Sequence, residues 1–274
     1  MTDVVPTVAL NDGNLIPQLG FGVWQVSSDD IVPAVSTALE TGYRHIDTAA
    51  IYGNEEGVGK AIKDSGIDRD DLFVTTKLWN DQHHNVVDAA KKSLDKLGLE
   101  KVDLYLIHWP SPAKGDFTTA WEQMQEVRAQ GLATSIGVSN FHPVHLDAIL
   151  AIIDTVPAVN QIELHPTLAQ RELSAYNASK GIVTEAYSPL GLSEDLQNPA
   201  IIEIADKLNR TPAQVILRWH LQKGNVVFPK SVTPHRIKEN FRLFDFELDK
   251  SDLKAIDALD AGNRVGTNPE TADF

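Results

Sequence analysis

No cysteine occurs in the 274 residues, which removes disulfide frameworks, thiolate zinc sites and cysteine nucleophiles together. Cations are also scarce: Lys and Arg total 24 against 38 Asp and Glu, a formal charge of −14. A general nucleic-acid binder needs a basic face, so that class is set aside, while one local basic pocket for a phosphate is not. No apolar run reaches the roughly 18–20 residues of a membrane span. Met1 to Leu10 carries Asp3 and no basic cluster ahead of an apolar stretch, so it does not read as a signal or transit peptide. The expectation is a cytoplasmic monomer that binds neither nucleic acid nor membrane. Gly-x-Ser-x-Gly, Walker A and Rossmann glycine spacings are missing as well.

What remains is ordinary globular composition, 42% hydrophobic and 23% charged, enough to bury a large core without metals or disulfides. Short apolar runs recur at Gly20–Val23, His45–Asp47, Leu72–Lys77, Val102–Ile107, Ser135–Val138, Val159–Glu163, Ile182–Tyr187 and Val226–Phe228. Each has about the length of a buried strand. Helical stripes lie between them: Val87, Ala90, Leu94 and Leu97; Phe117, Trp121, Met124 and Val127; Ile201, Ile204, Ala205 and Leu208. Asn198-Pro199 reads as a helix start and Thr211 to Gln214 as a capping box. Alternating strands and helices imply a parallel sheet. Eight units in this length fit a (β/α)8 TIM barrel, one domain over residues 1–274, better than a doubly wound sheet. Ahead of them, Thr7–Leu10, an Asp12-Gly13 turn and Leu15-Ile16 read as a β-hairpin that closes the barrel bottom. A helix is expected over Asp252 to Leu259, then an irregular tail from Gly262.

In such a barrel the C-terminal strand ends converge on one mouth. Asp47, Lys77, His108 and Lys230 fall at those ends, with Tyr52 in the loop after Asp47. A single polar residue at a strand end usually serves a turn or cap; their coincidence favours catalysis. Lys77 ends an apolar run and needs a carboxylate partner, since an unpaired buried charge is costly. Asp47 is that partner if the second and third strands are neighbours. An ammonium beside Tyr52 is expected to lower the phenol's pKa, and a carbonyl oxygen near Tyr52 and His108 would be stabilised as charge develops. Hydride from a cofactor would fit, because no nucleophile is available. Two rivals remain open: a redox-sensing binding subunit and a Schiff-base aldolase using Lys77. Phe228 to Arg236 runs from a strand end into a helix start, and its Lys230, Ser231 and Arg236 suit a phosphate. His83-His84 and His142-x-x-His145 have no carboxylate cluster beside them, so no metal site is expected. The glycines of Gly53 to Gly59 are assigned to turns and helix packing. Trp24, Trp79 and Trp109, with His108, are expected to line an apolar substrate pocket.

Three stretches resemble the signatures of the aldo-keto reductases: Gly42-Tyr43-Arg44-His45-Ile46-Asp47-Thr48-Ala49 with Tyr52, Glu55, Val58 and Gly59; Ile136-Gly137-Val138-Ser139-Asn140-Phe141; and Pro229-Lys230-Ser231 with Arg236, Glu239 and Asn240. Ala49 to Glu56, Thr76 to Asn80 and Leu217 to Gly224 are similar to the bacterial 2,5-diketo-D-gluconate reductase branch and its mycobacterial members. The resemblance implies a barrel that binds NADPH across its mouth and reduces aldehydes and ketones, such as small dicarbonyls or keto sugars. It implies Tyr52 as proton donor with Asp47, Lys77 and His108. Ser139, Asn140 and Gln161 would hold the carboxamide and Tyr187 would stack on the nicotinamide. Ser188, Leu190 and Phe228 would line the cofactor channel. Lys230, Ser231, Val232, Arg236, Glu239 and Asn240 would take the 2′-phosphate end. Thr134 and Phe228 depart from the usual pattern, and the short segments Ser111–Asp116 and Ser188–Asn198 suggest an open pocket.

Overall fold

The computed structural model describes residues 4–114, 116–272 and 274. Asp3 and its two predecessors, used in reading Met1 to Leu10, and Gly115 of the segment Ser111–Asp116, lie outside the described residues. The chain opens with the expected hairpin, β1 (Thr7–Ala9) and β2 (Leu15–Pro17), antiparallel with Val8 opposite Ile16. Its Leu10 and Ile16 pack on Phe73, Leu104, Leu106, Val159 and Val226, while Asn11 Nδ2 donates to Pro157 O at 2.9 Å. The hairpin therefore plugs the end of the barrel where strands begin.

Eight parallel strands follow: β3 (Phe21–Gly22), β4 (His45–Asp47), β5 (Phe73–Leu78), β6 (Val102–Ile107), β7 (Ala133–Ser139), β8 (Val159–Glu163), β9 (Val183–Tyr187) and β10 (Val226–Val227). Each pairs with its successor in chain order. A parallel bridge from Leu19 to Val227, with Gly20 N donating to Val227 O at 2.8 Å, joins the last strand to the first. Between and after them lie α1 (Ile31–Thr41), α2 (Glu55–Ser65), α3 (Val86–Leu97), α4 (Phe117–Ala129), α5 (Pro143–Leu150), α6 (Arg171–Ser179), α7 (Pro199–Leu208), α8 (Pro212–Gln222), α9 (Pro234–Phe241) and α10 (Lys250–Asp257).

Side chains on a strand alternate between faces. In β6, Tyr105 and Ile107 join the large cluster under the helices, while Leu104 and Leu106 join the interior cluster above the hairpin. The helical stripes behave as their spacing predicts: Phe117, Trp121, Met124 and Val127 are all buried. Thr211 and Gln214 form a reciprocal capping box, and the Asn198 side chain accepts from Ala200 N. Gly59 is a packing glycine, because a Cβ there would stand 2.1 Å from Leu97 O where α2 crosses α3. The last helix starts and ends two residues earlier than expected, since Asp249 and Asp252 form its capping box.

Above the apolar floor the interior turns polar. Register places Asp47 beside Thr75 and Gln161 beside Glu185. All four, with His45 and Lys77, are buried.

Candidate active site

Lys77 follows Phe73 and Thr75 along the inward face of β5, and its side chain is fully buried. Its Nζ donates to Asp47 Oδ1 at 2.6 Å, to Thr48 O at 2.9 Å and to Tyr52 Oη at 3.5 Å. An ammonium has three hydrogens, and all three are committed. Asp47 ends β4, and the chain then turns through a single 3-10 turn, Ala50–Tyr52, closed by Gly53 at φ 67°. That left-handed turn is what glycine permits. Asn54 locks it by accepting from Thr48 Oγ1 at 2.9 Å and donating to Val23 O at 2.9 Å. The ring of Tyr52 meets His108 edge-on at 5.7 Å.

Burial works to lower the Lys77 pKa, but the Asp47 charge and hydrogen bond, with Tyr52, raise it overall. The group stays a cation, which disfavours the Schiff-base role. Burial raises Tyr52, and Lys77 pulls it down only in part, so the net direction is upward. This corrects the expectation of a lowered phenol. Desolvation outweighs the ammonium in this enclosed crevice. The consequence is a phenol that keeps its proton while Lys77 donates to its oxygen, leaving the O–H free to point outward. His108 is held well below its ordinary value by burial and by Lys77, so it is a neutral imidazole, and its Nδ1 is buried without a protein partner among the described residues.

The residues expected to hold a carboxamide are wired to this group. Asn140 sits in the left-handed region at φ 65°, and its Nδ2 donates to His108 O at 3.0 Å and Ser139 Oγ at 3.1 Å. Tyr187 Oη donates to Asn140 Oδ1 at 2.8 Å. Gln161 Nε2 donates to Asp47 Oδ2 at 2.8 Å and to Glu185 Oε2 at 2.9 Å. Both amide hydrogens are used, so Oε1 is the atom left to accept. Ser188 and Leu190 are half-buried on the loop after β9, and Phe228 is buried just beyond β10. Lys230, Val232 and Arg236 are exposed, and Ser231 is half-exposed, leading into α9. No acidic partner pairs with Lys230 or Arg236 among the described residues, whereas Glu239 faces His235 at 3.5 Å. Asn240 is buried on α9. Two free cations beside a helix start fit a phosphate monoester.

Trp79 lies edge-on to His108 at 5.3 Å, and Phe274 stacks on Trp79 at 5.8 Å and meets Trp109 at 5.1 Å. Trp24 is 44% exposed and has no aromatic neighbour among the described residues. The aromatic wall is thus Trp79, His108, Trp109 and Phe274, with His108 buried, Trp79 and Trp109 half-buried and Phe274 exposed. Sequence reasoning missed Phe274 because what holds the tail is a set of contacts with remote residues, among them Asn80 Nδ2 donating to Phe274 O at 3.0 Å. Glu163, at the end of β8, accepts from Arg264 Nη1 at 3.1 Å, Val265 N at 2.6 Å and Gly266 N at 3.1 Å. His165 then ties Glu163 at 3.4 Å to Asp195 at 3.0 Å on the loop after β9.

Burial lowers His165, but the hydrogen bonds and charges of Asp195 and Glu163 raise it overall. A raised folded-state pKa stabilises the fold fully below the unfolded value of about 6.5, and that share is lost as pH rises through the folded value. The melting-temperature gap between the parent and His165→Asn is therefore expected to narrow by roughly 2 °C or more as pH is raised above that unfolded value. A gap that stays constant up to pH 9 would show that His165 carries no charge there.

The family model described as the aldo/keto reductase family matches residues 18–261. A methylglyoxal reductase DkgA of Yersinia pestis is 54% identical over 267 residues, covering 97% of this chain and 96% of that protein. An aldo-keto reductase of Mycobacterium sp. (strain KMS) is 50% identical over 271 residues, covering 98% of each. The crystal structure of a Gox0644 mutant in complex with NADPH superposes with a TM-score of 0.95 at 43% identity, covering 99% of this chain and 100% of that one.

Proposed function

The chain belongs to the aldo/keto reductase family, and from that premise we propose how its own residues carry out NADPH-dependent reduction of aldehydes and ketones to alcohols. The single observation that carries the reading is the buried chain Asp47–Lys77–Tyr52, with Nζ 2.6 Å from the carboxylate and 3.5 Å from the phenol oxygen. When bound, the cofactor supplies hydride to the carbonyl carbon. Tyr52 delivers its proton to the carbonyl oxygen. Lys77, already donating to the phenol oxygen, stabilises the phenolate left behind, and Asp47 keeps Lys77 charged. The neutral His108 orients the carbonyl oxygen and excludes water with Trp79 and Trp109. We assign the carboxamide to Ser139, Asn140 and Gln161, the ring face to Tyr187, and the channel to Ser188, Leu190 and Phe228. The 2′-phosphate goes to Lys230, Ser231, Val232, Arg236, Glu239 and Asn240, and Trp24 is assigned to the substrate rim.

Substrates are proposed to be small dicarbonyls or keto sugars, which suits a relative named for methylglyoxal. We place the enzyme in the cytoplasm as a monomer without nucleic-acid partners; among the described residues no helix is long and apolar enough to cross a membrane. A panel of dicarbonyls, keto sugars and aromatic aldehydes, followed by NADPH absorbance with NADH in parallel, tests the reading; no turnover with any would overturn it. Arg236→Ala should raise KM for NADPH about 10–100-fold, the worth of one charge-assisted bond, while KM for NADH hardly moves. Equal losses with both cofactors would remove Arg236 from the phosphate.

A further inference from the structure

One buried ionisable group has no part in the chemistry above. Glu185 points inward from the middle of β9, fully enclosed. Its Oε2 accepts from Gln161 Nε2 at 2.9 Å, and the same nitrogen reaches Asp47 Oδ2 at 2.8 Å. Its Oε1 has no partner among the described residues. We propose that Glu185 is a positioning residue for this reaction: through the shared Gln161 amide it is coupled to Asp47, and its protonation state sets the charge that surrounds Lys77.

The physical argument is a charge count. Asp47 and Lys77 balance each other, one anion to one cation. A second carboxylate charge in the same buried interior would leave one negative charge uncompensated, on a group whose Oε1 has no protein partner among the described residues. Burial and the Asp47 charge accordingly push Glu185 up to about 8, against the Gln161 hydrogen bond and Lys77. The groups facing it are few. β4 presents Asp47, and also His45, which burial lowers to about 4 and which is neutral. β5 presents Lys77, β8 only the Gln161 amide, and on β10 the register partner is Val226. At neutral pH Glu185 is therefore an uncharged acid, and Asp47 supplies the negative charge that balances Lys77. Once Glu185 ionises it adds a second attraction on the ammonium, raising the Lys77 pKa further. Lys77 is then a weaker partner for an emerging Tyr52 phenolate, and proton delivery slows.

This rests on the reductase reading, but one readout does not need it. Full-length protein carrying 13C-carboxyl glutamate is titrated by NMR without cofactor. One glutamate signal should titrate with a midpoint near 8, be missing in Glu185→Gln, and shift down by about one unit or more in Asp47→Asn. No glutamate titrating above neutrality, or a midpoint indifferent to Asp47→Asn, would overturn the proposal even if the enzyme reduces carbonyls normally. In the active enzyme, kcat against pH should bend downward through the Glu185 midpoint, and Glu185→Gln should remove the bend. A merely structural glutamate would instead scale the rate equally at every pH, which also overturns the proposal. Should Glu185→Gln not fold, the Asp47→Asn comparison alone decides.

Discussion

Tyr52→Phe is expected to lower kcat for carbonyl reduction by about 10²–10⁴-fold, the range of a positioned general acid, while Kd for NADPH stays within about twofold. The phenol oxygen lies at the longest of the three Lys77 bonds, 3.5 Å, and Asp47 and Thr48 keep their hold at 2.6 and 2.9 Å without it. The variant therefore loses a proton donor and little else. His108 cannot replace it, because burial and the Lys77 charge keep the imidazole neutral; a neutral imidazole polarises a carbonyl and is a poor acid. The two quantities are read by steady-state kinetics and by quenching of protein fluorescence on titrating NADPH. If the phenyl variant turned over at the parent rate, the proton would come from water, and the upward shift of Tyr52 would describe a bystander.

The parts of this site that sequence made legible share one property: they are local. Lys77 lies one residue before the end of β5, Asp47 ends β4, and the alternation of β and α segments puts both at one mouth, so their meeting follows from topology. Boundaries of β4 and β6 are close to what apolar runs predict, and the Thr211 and Asn198 caps follow from four-residue patterns. Missed features depend on contacts between remote segments. Glu185 lies two residues before Tyr187, in a strand whose apolar neighbours suggest ordinary packing; register with β8 sets it beside Gln161, and the barrel's curvature brings Asp47 to the same amide. Phe274 stacks on Trp79 with its carbonyl accepting from Asn80 Nδ2 at 3.0 Å, and Glu163 anchors the tail farther back at Val265 and Gly266, bonds between remote segments that no spacing announces. The upward direction of the Tyr52 shift is hidden from sequence for a related reason. An ammonium is visible in sequence, but the degree of enclosure that outweighs it is a property of the assembled crevice.

Lys77→Met is expected to lose stability and activity together, and a second substitution separates the two. Met has nearly the volume of the lysine stem but leaves the Asp47 carboxylate without its cation, with Gln161 Nε2 the one side chain among the described residues still bonded to it. Breaking a buried pair from one side costs about 3–5 kcal/mol, whereas neutralising both partners is often close to neutral. In urea unfolding, Lys77→Met should therefore show a deficit of that order, and Lys77→Met with Asp47→Asn should recover much of it, because an amide can share the Gln161 and Thr48 neighbourhood without a net charge. Turnover should not recover. With no ammonium, the phenolate formed on proton transfer has nothing to stabilise it, and kcat should remain about 10³-fold or more below the parent in both variants. A double variant as unstable as Lys77→Met would mean that lost packing, not an orphaned charge, dominates at this position. A double variant that regained turnover would mean that the cation beside Tyr52 is dispensable, and the proton-transfer role of the Asp47–Lys77–Tyr52 chain would have to be abandoned.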